Sequence, residues 1–137
     1  MEIHELTIGD YEAVLAFWQN MDGIGLSSAD EVGPLGLFLE RNPHLSFIAF
    51  DQNQLAGTAL CGHDGRRGFI YHLAVDPNCR RRGIGRQLVE NSLAGLRSVG
   101  IEKCHIMVLS YNQEGLNFWQ EMGWKMRNDI FLLSRSI

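Results

Sequence analysis

A run of arginines and glycines stands at residues 80–86, with the sequence Arg-Arg-Arg-Gly-Ile-Gly-Arg. The N-terminus of a helix presents backbone N–H groups without partners, and the peptide dipoles add roughly half a positive charge there. Glycine lets an anion approach those amides, while arginine adds charge-assisted hydrogen bonds to phosphate oxygens. If this run opens a helix, it predicts a site for a pyrophosphate or a similar polyanion.

Two common nucleotide-binding patterns do not fit the run. The pattern GxxxxGK[ST] needs a lysine and a hydroxyl for a nucleoside triphosphate and its magnesium, and GxGxxG needs a third glycine. Both are missing here. Taken alone, the run also allows a plainer interpretation, in which arginines decorate an exposed helix start and Gly83 only forms a turn.

The neighbouring elements place the run between a strand and a helix. Residues 69–75 have the pattern of a strand, which Asp76 and Pro77 stop. From Ile84 onward, apolar residues recur at helical spacing until Gly100, and glycine is a common residue just after a helix. A helix of about four turns is therefore predicted directly after the run.

The rest of the chain alternates strands and helices. Strands are predicted at residues 2–6, 45–51, 55–62 and 103–109, and helices begin near Asp10, near Pro34 and at Gln113. The three strands at 45–51, 55–62 and 69–75 form an antiparallel meander, and a final strand pair is expected at 124–136. The sequence predicts one α+β domain over residues 1–137, with a mixed sheet.

Acidic residues stand in the glycine-bearing loop before the second helix. Asp22, Asp30 and Glu31 lie there, and loops of this kind commonly carry ligand contacts. These acids could attract a cationic amine. The simpler interpretation is that they are solvated loop acids.

The composition excludes several classes of protein. The chain has 45% hydrophobic and 20% charged residues, a net charge of -4 and no apolar run of membrane-spanning length. Six of its 12 basic residues lie within positions 66–86, which favours a small anionic target over nucleic acid. The acidic start predicts no secretory signal, and three widely spaced cysteines predict neither a disulfide framework nor a CxxC metal pair. We expect a cytoplasmic protein without membrane partners.

The motifs together resemble the GNAT superfamily of N-acetyltransferases. That family's signature, Q/R-x-x-G-x-G/A after a strand and opening a helix, corresponds to residues 80–85. The strand Tyr-His-Leu-Ala-Val-Asp-Pro at 71–77 is similar to the family's fourth strand. Asn112 and the residues Phe-Trp-Gln-Glu-Met-Gly-Trp at 118–124 are similar to its N-x(n)-[FY]-Y-x-x-x-G-[FY] segment. The likeness covers nearly the whole chain and is nearest to small bacterial YpeA-like acetyltransferases. It implies a mostly antiparallel sheet that splays between strands 4 and 5, flanked by about four helices.

The resemblance implies acetyl-CoA as cosubstrate and no metal. Backbone groups of strand 4 would pair with the pantetheine arm, amides of the run would hold the pyrophosphate, and the strands would splay at Val75 and Val108. Further residues would flank the distal arm of the cofactor. The implied cofactor-binding residues are Leu73, Ala74, Val75, Arg80, Arg81, Arg82, Gly83, Ile84, Gly85, Arg86, Asn112, Phe118 and Trp119.

The chain departs from the family at two catalytic positions. Many relatives have a tyrosine acid where this chain has Trp119, and an indole N–H is too weak an acid to replace it. Tyr111 is a substitute acid, and water could also protonate the leaving thiolate. Met107 occupies the position of a carboxylate on strand 5 in some relatives. The backbone N–H of Val75 is the oxyanion donor implied by the resemblance. The candidate bases are His72, Tyr71, Glu114 and Asp64.

Two functions follow as hypotheses. The first is direct transfer of acetyl from acetyl-CoA to a primary amine of a small molecule or of a peptide or protein terminus. The alternative is an acyl-CoA-binding sensor or regulatory module without turnover, which the residues Trp119 and Met107 motivate. Phe131 or Trp124, exposed on a terminal strand, would support a homodimer.

Overall fold

The computed structural model describes all 137 residues and contains five strands and four helices. Pro34 is the third residue of the second helix, in the first turn, where its missing N–H leaves no hydrogen bond unmade. The elements, in chain order, are β1 (Glu2–Glu5), α1 (Tyr11–Gln19), α2 (Val32–Arg41), β2 (Phe47–Asp51), β3 (Gln54–His63), β4 (Gly68–Val75), α3 (Ile84–Ser98), β5 (Cys104–Ile106) and α4 (Gln113–Glu121).

The strands form a single sheet in the order β1-β2-β3-β4-β5. The pairs from β1 to β4 are antiparallel, and only β4 and β5 run parallel. The predicted mixed and mostly antiparallel sheet is therefore confirmed. None of the four helices is long and apolar enough to cross a membrane.

The sheet carries a separate core on each face, because neighbouring residues of a strand point to opposite sides. One core joins α1 and α2 to the sheet through Val14, Trp18, Leu35, Ile48, Leu60 and Ala74. The other joins α3 to the sheet through Ile84, Leu88, Ala49, Ala56 and Ala59.

The fit of α3 on the sheet is close. A Cβ atom at Gly57 would lie 3.0 Å from Leu88 Cδ1 and 3.0 Å from the Ala74 carbonyl oxygen. A side chain at this position would therefore push the helix away from the strands. This close approach fixes the start of α3 relative to the end of β4.

The chain divides into two compact units, Met1–Met107 and Val108–Ile137. The first unit contains the whole sheet, and β5 ends at Ile106, three residues before the predicted end of that strand. The second unit contains α4. The sequence prediction of a single domain over 1–137 stays a prediction.

The predicted strand pair at 124–136 is wrong. Residues 125–137 have no helix or strand and are exposed along their whole length, with Phe131 93% exposed. Four consecutive apolar residues, 130–133, lack the alternation that would bury one face of a strand. The segment contains a local ion pair, with Arg127 Nε 2.8 Å from Asp129 Oδ1. The exposed Phe131 does not lie on a strand, and the homodimer stays a prediction.

Candidate functional site

The N-terminus of α3 is open, as the arginine-glycine run predicts. Gly83 is its N-cap residue and has φ 82° and ψ 7°, a left-handed conformation in which glycine is strain-free. No side chain caps the helix, and a Cβ at Gly83 would have no atom within 4 Å. The first amides of α3 therefore have no side-chain cap, and the space beside Gly83 is open, as an anion site requires.

Two arginines of the run already make contacts in the structure. Arg82 Nη1 donates to Asp51 Oδ2 at 2.8 Å, and this bond holds the pKa of the Asp51 carboxyl below its usual range. Arg80 Nε donates to the carbonyl oxygen of Val75 at 3.1 Å, which ties the run to the end of β4. Arg81 and Arg86 are exposed. The run thus carries positive charge around the helix start.

The edge of β4 that faces β5 is paired along only part of its length. The ladder joins residues 68–70 of β4 to residues 104–106 of β5 and stops there. From Tyr71 to Val75, β4 has β3 on one side and no strand on the other. This gap begins at residue 71 of β4. Val108, where the resemblance places the splay, lies outside β5 and in the second unit.

The gap exposes alternate peptide groups of β4. The Asp76 N–H donates to the Ala56 carbonyl of β3 at 2.8 Å. Since successive peptide groups of a strand point to opposite edges, the backbone groups of Val75 and Leu73 point into the gap and those of Ala74 point to β3. Two of the three predicted strand residues can therefore offer backbone hydrogen bonds to a ligand.

A β-bulge interrupts β4 at His72. Thr58 of β3 pairs with Ala74, and Leu60 pairs with Tyr71, so the single residue between them on β3 faces two residues on β4. His72 has φ 49°, in the left-handed region that non-glycine residues seldom adopt. Bulges redirect side chains at functional edges of sheets.

The His72 ring is held from two sides. Its Nε2 lies 2.6 Å from Asp30 Oδ1, and the side chains of His72 and Asp30 are only 14% and 9% exposed. The ring packs on Trp18 with centroids 4.8 Å apart. The Thr58 hydroxyl accepts from Trp18 Nε1 at 2.8 Å and donates to the His72 carbonyl at 3.0 Å. The backbone and the ring of His72 are therefore both fixed by buried partners.

Asp30 reaches His72 because a short turn brings it inward. Residues Ser28–Asp30 form a 3-10 turn in which the Ser27 backbone N–H donates to Asp30 Oδ2 at 2.9 Å. The Tyr11 hydroxyl donates to the Asp30 carbonyl at 2.8 Å. The interpretation of Asp30 as a solvated loop acid is wrong, because Asp30 is 7% exposed. Ser27 and Asp30 stand at the spacing of a capping box, a sequence signal that could have located this buried acid.

The other candidate bases have different surroundings. Burial raises the pKa of the Tyr71 hydroxyl, so that Tyr71 is neutral at physiological pH. Backbone N–H groups of Arg67 and Arg66 hold the pKa of Asp64 below its usual range. Asp64 is also exposed, at the turn between β3 and β4. Neither environment favours a proton acceptor near neutral pH.

A cavity of about 480 Å³ opens between α2 and the strands β3 and β4. Its walls include aromatic and charged side chains, among them Phe38, Arg41, His63, Asp64, Phe69 and Tyr71. The rings of Phe38 and Tyr71 meet edge to face with centroids 6.1 Å apart. Tyr71 directly precedes His72, so the cavity adjoins the bulge along the chain.

The remaining predicted residues lie in the second unit. The Asn112 side chain caps α4 by accepting from the Gly115 N–H at 2.9 Å. Trp119 is 7% exposed and packs edge to face on Trp124, with centroids 4.8 Å apart. Tyr111 is 76% exposed. Phe118 is half-buried and Glu114 is exposed. These observations give Asn112 and Trp119 structural roles within their own unit that the sequence did not predict.

The three cysteines are free, and no cluster of three histidine, cysteine, aspartate or glutamate side chains is arranged to hold a metal ion. Burial raises the pKa of the Cys61 thiol to about 12 and that of Cys104 to about 11. Both thiols are therefore protonated at neutral pH and unsuited to act as nucleophiles.

The family model of the acetyltransferase (GNAT) family matches residues 11–124. An acetyltransferase of Sodalis glossinidius is 27% identical over 137 residues, which are 100% of this chain and 96% of that protein. Among solved structures, an N-acetyltransferase of Thermoplasma acidophilum in complex with coenzyme A is similar with a TM-score of 0.77 and 20% identity, covering 94% of this chain and 92% of that one. An aminoglycoside acetyltransferase from an uncultured soil metagenomic sample, in complex with sisomicin, has a TM-score of 0.73 and 19% identity, with coverage of 99% and 95%.

Proposed function

The chain belongs to the GNAT acetyltransferase family, and we propose that it transfers acetyl from acetyl-CoA directly to a primary amine of a small molecule or of a peptide or protein terminus. The observation that carries the proposal is the unpaired edge of β4 beside the uncapped N-terminus of α3. An extended arm with amide groups fits the first feature, and a pyrophosphate fits the second. Coenzyme A contains both groups in one molecule.

The cofactor contacts follow from the directions of the backbone groups. Leu73 and Val75 would pair with the pantetheine arm, and the amides of residues 81–86 would bind the pyrophosphate. Arg81 and Arg86 are exposed beside these amides and would add charge. Arg82 would have to leave Asp51, or share it, in order to reach a phosphate. The roles of Asn112, Phe118 and Trp119 near the distal arm remain predictions from the family.

The reaction needs a donor for the oxyanion that develops on the thioester carbonyl. The Val75 N–H points into the gap of the sheet, where the resemblance would place that oxygen. His72 is the proposed base, since the alternative candidates Tyr71 and Asp64 are poor proton acceptors near neutrality. The leaving thiolate would be protonated by water or by Tyr111, which is exposed. Trp119 is not the acid.

The cavity beside Tyr71 is the proposed place for the body of the acceptor. Its aromatic walls would bury an apolar part of the amine, and Asp64 and Arg41 give it one charge of each sign. An aminoglycoside acetyltransferase of similar fold is described in complex with sisomicin. For this chain we expect a primary amine that carries an apolar or aromatic group. The free cysteines favour a cytoplasmic location.

The test is a panel of amines assayed for release of the CoA thiol from acetyl-CoA. The panel includes a polyamine, an aromatic amine, an aminoglycoside, free amino acids and peptides with free N-termini. We expect turnover with at least one amine and little thiol release without one. A Tyr71→Ala variant should raise the KM for an aromatic amine and leave that for acetyl-CoA unchanged.

The alternative function, acyl-CoA binding without turnover, is favoured by Trp119, whose indole replaces an acid and is buried in its own unit. Calorimetric titration with acetyl-CoA separates the two functions. Tight binding of acetyl-CoA without thiol release for any amine would support the sensor and contradict the enzyme. Absence of binding would contradict both functions.

A further inference from the structure

The loop between α1 and α2 is attached to β4 by the pair Asp30 and His72. We propose that this pair deprotonates the acceptor: His72 Nδ1 takes a proton from the acceptor ammonium, and Asp30 is the positioning residue that orients the ring. This inference rests on the proposed acetyl transfer. To the proposed acetyl transfer the inference adds a second residue, Asp30, from a loop outside the family signature, and it names the ring nitrogen that accepts the proton.

The contacts of Asp30 fix the tautomer of the ring. An ionised carboxylate only accepts hydrogen bonds. Asp30 accepts from the Ser27 N–H through Oδ2, and its Oδ1 lies 2.6 Å from His72 Nε2. With Asp30 ionised, a contact this short between two nearly buried groups requires the shared proton to be on Nε2. In the neutral ring, the lone pair is then on Nδ1.

Nδ1 is open to an incoming ligand. No hydrogen bond in the structure involves this atom, whereas Nε2 is bound. The structure contains no enclosed side-chain nitrogen or oxygen that lacks a partner. Nδ1 therefore keeps contact with solvent although the side chain as a whole is only 14% exposed. One nitrogen of the ring is held, and the other is free to take a proton.

The bulge fixes the backbone that carries the ring. His72 has φ 49°, and its carbonyl is held by the buried Thr58 hydroxyl, which also binds the Trp18 indole. A backbone conformation of this kind persists where the surroundings enforce it, and such positions cluster at active sites. The fixed position lies one residue before Leu73, at the start of the peptide groups that face the gap.

The proton and electron balance of the step is complete. The ammonium gives one proton to Nδ1, and the neutral amine attacks the thioester carbon. The C–N bond forms, and the C–S bond breaks with its electron pair on sulfur. The thiolate is protonated by water or by Tyr111, which is restored by the second proton from nitrogen, and the imidazolium releases the first proton to solvent. Ammonium and acetyl-CoA thus give the N-acetyl amine, the CoA thiol and one proton.

Two titratable side chains meet the ring or its partner. Asp30 contacts the ring directly, and the Tyr11 hydroxyl donates to the Asp30 carbonyl. Trp18 of α1 and Thr58 of β3 also contact the ring or its carbonyl, and neither titrates. The effect of the Asp30 charge on the pH profile can therefore be separated from the effect of the loop anchor, which is the hydrogen bond from the Tyr11 hydroxyl to the Asp30 carbonyl.

The experiment compares Asp30→Asn, His72→Asn and Tyr11→Phe with wild type, using the best amine of the panel. Asparagine tolerates positive φ, so that His72→Asn should keep the bulge while it removes the base. We expect kcat/KM at pH 7 to fall roughly 100-fold or more in His72→Asn. In Asp30→Asn, loss of the anion disfavours the imidazolium, so the acid limb of the pH profile should move to lower pH. Tyr11→Phe weakens the loop anchor alone and should leave the limb in place.

A second readout does not depend on turnover. Long-range proton–nitrogen NMR should show a protonated Nε2 and an unprotonated Nδ1 for the neutral ring of His72, and Asp30→Asn should change this signature. A neutral ring with its proton on Nδ1 in wild type would overturn the proposal. So would equal loss of activity in Asp30→Asn and Tyr11→Phe with no movement of the acid limb, since that pattern describes a structural anchor. If wild type acetylates no amine, the proposed function fails first, and the base role fails with it.

Discussion

Gly83 and Gly100 stand at the two ends of α3 and form a matched pair. Their φ angles are 82° and 83°, and a Cβ at either would have no atom within 4 Å. Replacing either by alanine introduces the same left-handed strain without a clash. Only Gly83 borders the proposed pyrophosphate site.

The effect on stability can be estimated from the backbone. The left-handed conformation costs a residue with a Cβ about 1–2 kcal/mol. Alanine recovers about 0.4–1 kcal/mol by restricting the unfolded chain. Gly83→Ala and Gly100→Ala should each lower the free energy of unfolding by about 1 kcal/mol. Urea unfolding followed by tryptophan fluorescence measures this loss.

The effect on binding should separate the two variants. A methyl group at Gly83 stands at the helix start and keeps a phosphate from the first amides, so affinity for coenzyme A should fall at least roughly tenfold, or about 1.4 kcal/mol. Gly100→Ala should bind coenzyme A as wild type does. Pantetheine, which lacks the pyrophosphate, should bind all three proteins equally. Equal affinity of both variants for coenzyme A would refute the assignment of the pyrophosphate to this loop.

Three further predictions concern the same framework. Between pH 9 and 12 the folded chain keeps the Cys61 proton that the unfolded chain loses, because burial raises the Cys61 pKa to about 12; stability should therefore fall as pH rises. Between pH 8 and 10, the free energy of unfolding measured in urea should fall by about 1 kcal/mol less in Cys61→Ala than in wild type. Thr58→Val leaves the Trp18 indole N–H and the His72 carbonyl without partners and should lower the free energy of unfolding by about 2–4 kcal/mol. Thr58→Ser keeps the hydroxyl and should lower it by about 1 kcal/mol. A smaller loss in Thr58→Val than in Thr58→Ser would contradict these hydrogen bonds. Arg82→Ala should leave the melting temperature unchanged, because its bond to Asp51 is exposed, and should weaken coenzyme A binding several-fold at low salt. An unchanged salt dependence of binding would exclude Arg82 as a phosphate ligand.

The sequence was most informative where a local pattern decides the structure. The start of α3 follows from a left-handed glycine after a strand that Pro77 stops, and its apolar stripe and end at Gly100 need no tertiary information. The strands of the meander follow in the same way from strand-forming runs bounded by turn residues such as Gln52 and Asn53. The family signature rests on these local features, and its match to the chain was confirmed.

Features that depend on distant partners escaped sequence reasoning. Asp30 lies in a glycine-bearing, acidic stretch that is typical of a loop, and nothing near it in the chain indicates its contact with a histidine 42 residues away. The bulge at His72 depends on the pairing of β3 with β4, which shifts by one residue without any glycine to mark it. The segment after Trp124 has strand-forming residues but no alternation, and composition misled the prediction there.

The gap along β4 has a consequence for the protein without ligand. A strand edge with unpaired peptide groups is a template for the strand of another chain, and such edges promote aggregation. Here the bulge at His72 bends the edge, and Arg80 covers the Val75 carbonyl, so the free stretch is short and interrupted. Both features shorten the edge that the strand of another chain could pair with. Acetyl-CoA bound in the gap would cover the rest of this edge. The protein without ligand should therefore be the form that self-associates on concentration.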